Sequence, residues 1–334
     1  MANLPRHRVA MTIPGPTANV ADSIAMAKRL EQLGWDDIWL ADAGGLDALT
    51  LVPMLLGATE NTRIGTAVVP VFTRTPAVLA STFAVINQAY PGRFIPGLGT
   101  SSHAIINNWH GLTMEKPLTR IKETMTLLRS MMAGEKTNFE GETLRSKGYR
   151  QAPTSKQPIY LAGLRPNMLE TAAEISDGVI LNLFPRSALP KIMEHIAIGA
   201  ERAGKDPASV EVVCRHMMCL TNDKELGRAA FRAAFGPYYA TPVYNKFLAW
   251  AGHEDTAKEI AEGFKARDRE RTSAAMTDEL VDQIALIGNE AECQDLIREY
   301  AAGGIHTHVM APMIPDPQMI ENTVMAFSKE RFSF

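Results

Sequence analysis

The feature that most constrains the fold of this chain is an alternation of short apolar segments with segments of helical periodicity. The segments predicted to be strands cover residues 8–13, 37–41, 63–70, 92–99, 158–162, 177–182, 210–220 and 304–310. Apolar residues that recur at three- and four-residue steps follow each segment and predict helices. Strands that alternate with helices indicate a parallel sheet, and eight such units favour a closed (β/α)8 TIM barrel.

The predicted helices span residues 20–33, 49–58, 76–86, 116–133, 168–175, 187–203 and 317–327. A helical insertion is predicted between strands seven and eight, over most of residues 223–300, with Leu286 inside its helical pattern. A small β-excursion is expected at residues 137–151. Pro14–Pro16 is expected to form the loop that leaves strand one.

The alternative to a barrel is a doubly wound open sheet. Such a sheet would carry a glycine-rich fingerprint after its first strand, and Ile13–Pro16 is not one. No convincing linker interrupts the pattern, so residues 1–334 are expected to form one domain.

Composition indicates a globular protein of the cytoplasm. The net charge is −3, which gives no basic footprint for a nucleic-acid partner. No apolar run reaches the roughly 18 residues that a membrane span needs, so no membrane partner is expected. The first residues lack the apolar core of a signal peptide. The cysteines are few and odd in number, three in all, which suggests reduced thiols in the cytosol.

The loop that leaves strand three is too apolar for a solvated turn. Gly65, Thr66 and Ala67 are small residues beside bulky ones, as if a flat ligand lay on the backbone. The alternative is a buried parallel strand with a tight exit. Phe72 lies in this loop and is a candidate for the wall of a substrate pocket.

In a barrel of this kind the active site is built at the C-terminal ends of the strands. The residues found there are few in ionisable groups and rich in backbone amides. They are Ile13, Asp42, Ala67, Val68, Gly99–His103, Ala162–Leu164, Asn182 and His216. Paired carboxylates and a nucleophile elbow are both missing from these ends, which argues against glycosidase and serine-hydrolase chemistry. A large cofactor that carries its own chemistry suits such a mouth better.

Two segments of the predicted mouth suit a phosphate. Thr100, Ser101 and Ser102 offer hydroxyls and amides after a glycine-rich strand. Ala162 and Gly163, ahead of the helix at Pro166, offer amides at a helix N-terminus. Together they predict a phosphorylated cofactor.

Histidines and aromatic residues leave alternatives open. His306 and His308 face one way on a strand and could join His216 in a metal cluster, but no carboxylate pattern supports one and no metal is expected. His103 is a candidate for contact with substrate or cofactor, and the alternative is a helix cap or a solvated side chain. Trp109 could wall the pocket or serve only in packing.

The insertion contains a cluster of aromatic residues. Its members are Tyr238, Tyr239, Tyr244, Phe247 and Trp250. They could pack one pair of helices, or they could form a substrate lid or a dimer surface.

Three motifs together resemble the luciferase-like monooxygenase superfamily. They are Gly65–Pro70 with Thr73–Pro76, Gly92–Ser101, and Pro158–Pro166 followed by Asp177–Val179. The resemblance covers nearly the whole chain, and the Gly-Thr-Ala-Val-Val-Pro form is most similar to the branch that uses the deazaflavin coenzyme F420. The alternative cofactor is FMN, with monooxygenase activity.

The resemblance implies a site around a tricyclic ring. A non-prolyl cis peptide at Ala67–Val68 would support the back face of the ring, and Asp42 would lie near its pyrimidine edge. The ribityl-phosphate tail would be held by Gly99, Thr100, Ser101 and Ser102 and by Gly163, Leu164, Pro166 and Asn167. Arg74, Arg165 and Arg186 are candidates to meet the acidic tail of F420. A homodimer is also implied.

The chain departs from the deazaflavin sugar dehydrogenases of this superfamily at two positions. Ala43 stands where they have a His, and Ser102 stands near an acidic position. Both residues supply acid/base function there, so hexose-phosphate oxidation is not expected. We expect an F420-dependent oxidoreductase that transfers a hydride to or from a small organic molecule, and reduction of an activated double bond is easier to reconcile with these residues. A non-catalytic cofactor-binding barrel is the alternative from another class.

Overall fold

The strands close into the predicted parallel barrel in the computed structural model, which describes residues 5–13 and 19–334. The strands are β1 (Arg8–Thr12), β2 (Asp37–Leu40), β3 (Arg63–Thr66), β4 (Val69–Pro70), β5 (Phe94–Ile95), β6 (Gly97–Gly99), β7 (Asn138–Glu140), β8 (Arg145–Lys147), β9 (Tyr160–Ala162), β10 (Gly178–Asn182), β11 (Glu211–Leu220), β12 (Leu286–Gly288) and β13 (Thr307–Pro312). The predicted β-excursion is the antiparallel hairpin of β7 and β8.

The third and fourth predicted strands are each split into two pieces. The first pieces pair with each other, and so do the second pieces. The piece β3 lies between β2 and β5, and the piece β4 pairs with β6. From β6 the ladder continues through β9, β10, β11 and β13 to β1, which pairs with β2 and closes the circle. The split in strand four falls at Pro96, which has no N–H to donate to a ladder, while its carbonyl oxygen accepts from Tyr160 N over 2.8 Å.

The helices surround the barrel and fill the insertion. They are α1 (Val20–Gln32), α2 (Ala48–Ala58), α3 (Pro76–Ala89), α4 (Pro117–Met132), α5 (Pro166–Ile175), α6 (Leu189–Arg202), α7 (Lys224–Tyr239), α8 (Pro242–Trp250), α9 (Glu254–Lys265), α10 (Arg269–Ala274), α11 (Asp278–Ile284), α12 (Glu290–Ala302) and α13 (Pro317–Ala326). None of the helices in the described residues is long and apolar enough to cross a membrane.

Three predictions about local structure need correction or fall outside the described residues. Leu286 was expected within a helix, but Leu286–Gly288 is the strand β12, which pairs with β11. A short buried apolar run cannot be assigned to helix or strand by periodicity alone. Here the run forms a strand because its backbone pairs with the free edge of β11. The helix expected from Ser187 begins at Leu189, after a 3-10 turn over Arg186–Ala188. The exit loop predicted at Pro14–Pro16 lies outside the described residues.

The interior of the barrel is filled by side chains at alternate positions of its strands. This layer consists of Ala10, Trp39, Ile95, Tyr160, Ile180, Val213 and Val309, all of them buried. Ala67, Val68 and Ala162 are partly buried and pack against it. The layer therefore forms the floor of whatever site the C-terminal ends of the strands enclose.

Below that layer, at the N-terminal ends of the strands, buried charges pair with one another. Arg63 Nη2 lies 2.6 Å from Asp37 Oδ2 and 2.5 Å from Glu211 Oε1. Arg8 Nη2 lies 2.5 Å from Asp37 Oδ1, and the hydroxyl of Tyr160 donates to Glu211 Oε2 over 2.6 Å. Burial disfavours the ionised form of Glu211, but the hydrogen bond and charge of Arg63 outweigh burial and lower the pKa of Glu211 to about 2.

Candidate active site

The exit of the third strand has the backbone form that the family resemblance implies. The peptide bond between Ala67 and Val68 is cis, and it separates β3 from β4. Ala67 N donates to the carbonyl oxygen of Leu40 over 2.7 Å, which ties the bulge to β2. Thr66 is fully buried, and its hydroxyl bonds both Gly97 N (2.8 Å) and Gly97 O (2.9 Å). The Thr66 hydroxyl therefore joins two strands, and its hydrogen bonds are made within the protein.

Glycines let the bulge and its neighbours approach each other closely. A Cβ built on Gly97 would lie 1.8 Å from the carbonyl oxygen of Thr66, which no side chain could tolerate. A Cβ built on Gly99 would lie 2.6 Å from Val68 Cγ2 and 3.4 Å from Ala162 Cβ. Val68, Gly99 and Ala162, three residues predicted to contact the cofactor, thus meet across neighbouring strands.

The first predicted phosphate segment is a half-buried turn after β6. Thr100, Ser101 and Ser102 all retain part of their surface. Ser101 has a φ of +61°, in the left-handed region that residues other than glycine seldom adopt. Ser102 Oγ accepts from Ile105 N over 3.4 Å. One of the three predicted hydroxyls therefore already caps the next element.

The second predicted phosphate segment is the start of α5. The N-cap residue Arg165 provides no side-chain hydrogen bond to the first turn, and Pro166 and Asn167 are its first residues. Gly163 is buried against Leu169, where a Cβ would lie 3.0 Å from Leu169 Cδ2. Because the amides of a first turn carry partial positive charge, this end of α5 can bind an anion.

Asp42 lies just past β2 and forms an ion pair with Arg74. Arg74 also pairs with Asp47, the N-cap residue of α2. Burial disfavours the charge of Arg74, but its two carboxylate partners outweigh burial and raise its pKa. Arg186, another candidate for the acidic tail of F420, lies 3.5 Å from a carboxylate oxygen of Glu299. Of the three arginines proposed for that role, Arg165 is the exposed one outside these pairs.

The segment after Ser102 forms an unpredicted π-helix over Ala104–Trp109. His103 is exposed at its start and makes no capping hydrogen bond, so the solvated alternative describes it better than the cap.

Trp109 is 61% exposed, and its ring lies 3.3 Å from a Cβ built on Gly44, in the loop after β2. Phe72 packs against the main core, with the guanidinium of Arg120 at 5.4 Å from its ring centre. Single-turn π-helices are frequent at functional sites.

His216 was expected at the mouth of the barrel because it lies near a strand end. The neighbouring residue, Arg215, faces the mouth instead. His216 points out of the barrel, where its ring meets Tyr300 of α12 at 4.6 Å and stacks on His308 at 5.4 Å. Arg215 points inward, with Nε donating to Thr12 Oγ1 over 3.2 Å. Alternation along β11 is the signal that could have identified Arg215, because Glu211 and Val213 face the same way.

The histidines on the outside of β11 and β13 do not form a metal site. Across residues 5–13 and 19–334, no group of three or more His, Cys, Asp or Glu side chains could hold a metal ion. His216 Nε2 and His308 Nδ1 lie 3.3 Å apart, within reach of a hydrogen bond between neutral rings.

The exit of β10 brings a further polar atom to the mouth. Asn182 was identified as a strand end, and its Oδ1 is buried without a hydrogen-bond partner among the described residues. The next residue, Leu183, has a φ of +52°. Its carbonyl oxygen accepts from the buried hydroxyl of Tyr239 in α7, over 2.8 Å. The insertion is thereby fastened to the rim of the barrel.

Comparisons with known proteins agree with this geometry. The luciferase-like monooxygenase family matches residues 4–307 of the chain. The 5,10-methylenetetrahydromethanopterin reductase of Methanolobus tindarius is 31% identical over 296 residues, which cover 85% of this chain and 88% of the relative.

Two solved structures share the fold. One is the coenzyme F420-dependent tetrahydromethanopterin reductase from Methanopyrus kandleri, with a TM-score of 0.81 and 20% identity over 97% of this chain and 98% of that chain. The other is an F420-dependent secondary alcohol dehydrogenase in complex with an F420-acetone adduct, with a TM-score of 0.79 and 19% identity over the same shares. From the family match over most of its length and the relative above 30% identity, the chain belongs to the luciferase-like monooxygenase family.

Proposed function

We propose that this protein is a coenzyme F420-dependent oxidoreductase that transfers a hydride between the deazaflavin ring and a small organic substrate. The observation that carries the proposal is the meeting of Val68, at the cis bulge, with Gly99 and Ala162. Ala67, Val68 and Ala162 retain part of their surface above the barrel floor, so small side chains are available there to support a planar ring. The Methanopyrus kandleri reductase and the secondary alcohol dehydrogenase, which share the fold, are both described as F420-dependent.

The residues present suit such a cofactor. Coenzyme F420 supplies the hydride chemistry when it is bound. In the proposal Ala67 and Val68 support one face of the ring, and Asp42, held by Arg74, lies near its edge. Thr100–Ser102 and the uncapped first turn of α5 hold the phosphate of the tail. The remaining predicted contacts are Gly163, Leu164, Pro166 and Asn167 around that turn, with the Thr66 hydroxyl behind the bulge.

The described residues offer little acid/base chemistry next to these predicted cofactor contacts. His103 is exposed, and Asp42 is engaged by Arg74, so neither is an obvious proton donor at a buried reacting atom. We infer that the reaction needs little proton transfer from the protein, as in the reduction of an activated double bond. His103 and Trp109, on the rim, are the proposed contacts for the part of the substrate outside the ring, and Phe72 lies behind them.

A paired titration with F420 and FMN tests the cofactor. We expect quenching of F420 fluorescence with saturation at micromolar or lower concentration, and no saturable quenching of FMN under the same conditions. FMN bound more tightly than F420 would overturn the proposal in favour of flavin-dependent monooxygenation, an activity named for this family. Saturation by F420 without any exchange of hydride with conjugated alkenes or alcohols would favour a non-catalytic cofactor carrier.

We further propose that the protein acts as a homodimer in the cytoplasm, with residues 1–334 as one domain. The buried, unpaired cysteines Cys214, Cys219 and Cys293 support a reducing compartment. Sedimentation of the purified protein at several concentrations would distinguish a dimer from a monomer.

A further inference from the structure

Arg215 carries a charge that the described part of the protein does not neutralise. Its Nε donates to Thr12 Oγ1 over 3.2 Å, and its Nη1 lies 3.6 Å from Met217 Sδ. No carboxylate among residues 5–13 and 19–334 pairs with it. Burial lowers the pKa of Arg215 to about 10, so the group remains charged at neutral pH in spite of its surroundings.

The same strand shows how this protein treats a buried charge when the charge is structural. Glu211 lies four residues before Arg215 and faces the same side of β11. Its carboxylate is bound by Arg63, Tyr160 and Thr307. A largely buried charge without a counter-ion is costly, and such charges are normally paired. The contrast between Glu211 and Arg215 therefore points to a counter-ion that arrives from outside.

A second unsatisfied group lies beside Arg215 on the neighbouring strand. Asn182 is the register partner of Arg215 in the parallel ladder of β10 and β11, so both side chains enter the barrel at the same level. Asn182 Oδ1 is buried without a hydrogen-bond partner among the described residues, and as an acceptor it calls for a donor group. Arg215 retains part of its surface.

Arg215 lies on the opposite side of the barrel from Ala67 and Val68, the residues proposed to support the cofactor ring. Around the closed barrel, β11 is four strands from the strand formed by β3 and β4 in either direction. A ring resting on Ala67 and Val68 would therefore turn its open face toward Arg215. That open face is where the substrate of a hydride transfer must lie.

We infer that Arg215, with the Thr12 hydroxyl beside it, forms a subsite for a carboxylate or similar anionic oxygen group of the substrate, while Asn182 Oδ1 can accept from a donor group next to that anion. Arg215 is a specificity-determining residue in this inference, which rests on the proposed function. The planar guanidinium can hold a carboxylate through two parallel hydrogen bonds. Burial lowers the pKa of Arg215, and Tyr238 and Tyr244 of the insertion lie near enough to raise it to a smaller extent.

The test uses the F420-loaded protein, with benzoate as the probe and benzamide as its neutral counterpart. We expect benzoate to bind at least about tenfold more tightly than benzamide, because a hydrogen-bonded charge pair is worth more than a neutral contact. Arg215→Met should abolish this preference, and Arg215→Lys should retain part of it. F420 affinity should not change in either variant.

A stability measurement distinguishes a binding residue from a structural one. Without benzoate, Arg215→Met should melt at the same temperature as the wild type or higher, because it removes an unpaired buried charge. A melting temperature lowered by ten degrees or more would overturn the inference by making Arg215 structural. An equal affinity of the wild type for benzoate and benzamide would also overturn it.

Three further outcomes show whether the proposed function or the substrate subsite has failed. If Arg215→Met lowers the affinity for F420 and leaves the preference for benzoate intact, the counter-ion is an anionic group of the cofactor and the substrate subsite is wrong. If the wild type binds no F420, the proposed function fails. If it binds F420 and ignores benzoate, only the subsite fails.

Discussion

The buried hydroxyl of Tyr239 donates a hydrogen bond to the carbonyl oxygen of Leu183, and this contact joins the helical insertion to the exit of β10. Leu183 follows Asn182 and adopts a left-handed backbone conformation. The insertion thus holds in place a strand end at the mouth of the barrel.

Removal of that hydroxyl should be costly for the fold. In Tyr239→Phe the carbonyl of Leu183 remains buried without its donor, so the free energy of unfolding should fall by about 1–3 kcal/mol. Urea denaturation followed by circular dichroism measures the change. Tyr238→Phe is the matched control because Tyr238 is 44% exposed, and its stability should stay within about 0.5 kcal/mol of the wild type. Equal effects of the two substitutions would contradict the prediction.

The contact between Val68 and Gly99 should tolerate no added methyl group. Gly99→Ala places a Cβ 2.6 Å from Val68 Cγ2, so the bulge must shift and the affinity for F420 should fall at least about tenfold, or 1.4 kcal/mol. Fluorescence titration gives the dissociation constant. Gly236→Ala, in α7, is the control, because its Cβ would meet only Met276 Sδ at 3.8 Å. An unchanged F420 affinity in Gly99→Ala would show that the cofactor does not rest there.

The ion network below the barrel floor should matter for stability and leave binding unchanged. Arg63→Met leaves the carboxylate of Glu211 without a counter-ion and that of Asp37 with Arg8 alone, which predicts a loss of about 3–5 kcal/mol in the free energy of unfolding. Arg145→Ala removes a surface pair with Glu140, at 80% and 75% side-chain exposure, and should cost at most about 1 kcal/mol. The F420 dissociation constant of folded Arg63→Met should equal that of the wild type. A raised constant would place the network within the site's influence.

The stacked histidines predict that acid destabilises the protein. Burial lowers the pKa of His216 to about 3, and burial together with neighbouring histidines lowers that of His308 well below its ordinary value. In the unfolded chain both titrate near 6.5, so the unfolded state binds protons that the folded state excludes. Stability should be constant above about pH 6.5 and fall as the pH drops from there toward 3.

Variants separate these histidines from other acid-sensitive groups. Glu211, with its lowered pKa, adds a loss of stability only as the pH falls below about 4.5. Between pH 6.5 and 5, therefore, His216→Phe should reduce the slope of stability against pH, measured by urea denaturation at each pH, and His308 should account for part of what remains. The exposed His110 provides the control, and His110→Gln should leave the dependence unchanged. A slope in His216→Phe equal to that of the wild type would contradict the prediction.

The barrel could be predicted from the sequence because each strand and helix shows its own periodicity. The parts that were missed depend on contacts between distant segments. Leu286–Gly288 became a strand because β11 extends far enough to pair with it, which no local pattern reveals. The cis peptide at Ala67–Val68 was anticipated only through the resemblance, since small residues before a proline are compatible with many backbone forms.

The candidate site was predicted less completely than the fold. Gly99 and Ala162 were identified from their places at strand ends, and the structure brings Gly99 against both Val68 and Ala162. Arg215 was missed because both faces of β11 carry apolar residues. Alternation places Arg215 on the face of Glu211 and Val213, and the structure shows that this face enters the barrel. The role of Arg74 was also invisible, because its partners Asp42 and Asp47 lie some thirty positions earlier in the chain.

The two charged positions of β11 have a consequence for how proteins with this barrel can diverge. The carboxylate of Glu211 is bound by Arg63, Tyr160 and Thr307. A substitution of Glu211 must therefore be matched by substitutions on three other strands. Within residues 5–13 and 19–334, by contrast, the polar contacts of Arg215 are with one hydroxyl and one thioether. Selection could therefore exchange Arg215 in a single step, giving a descendant that accepts a different molecule on an unaltered scaffold.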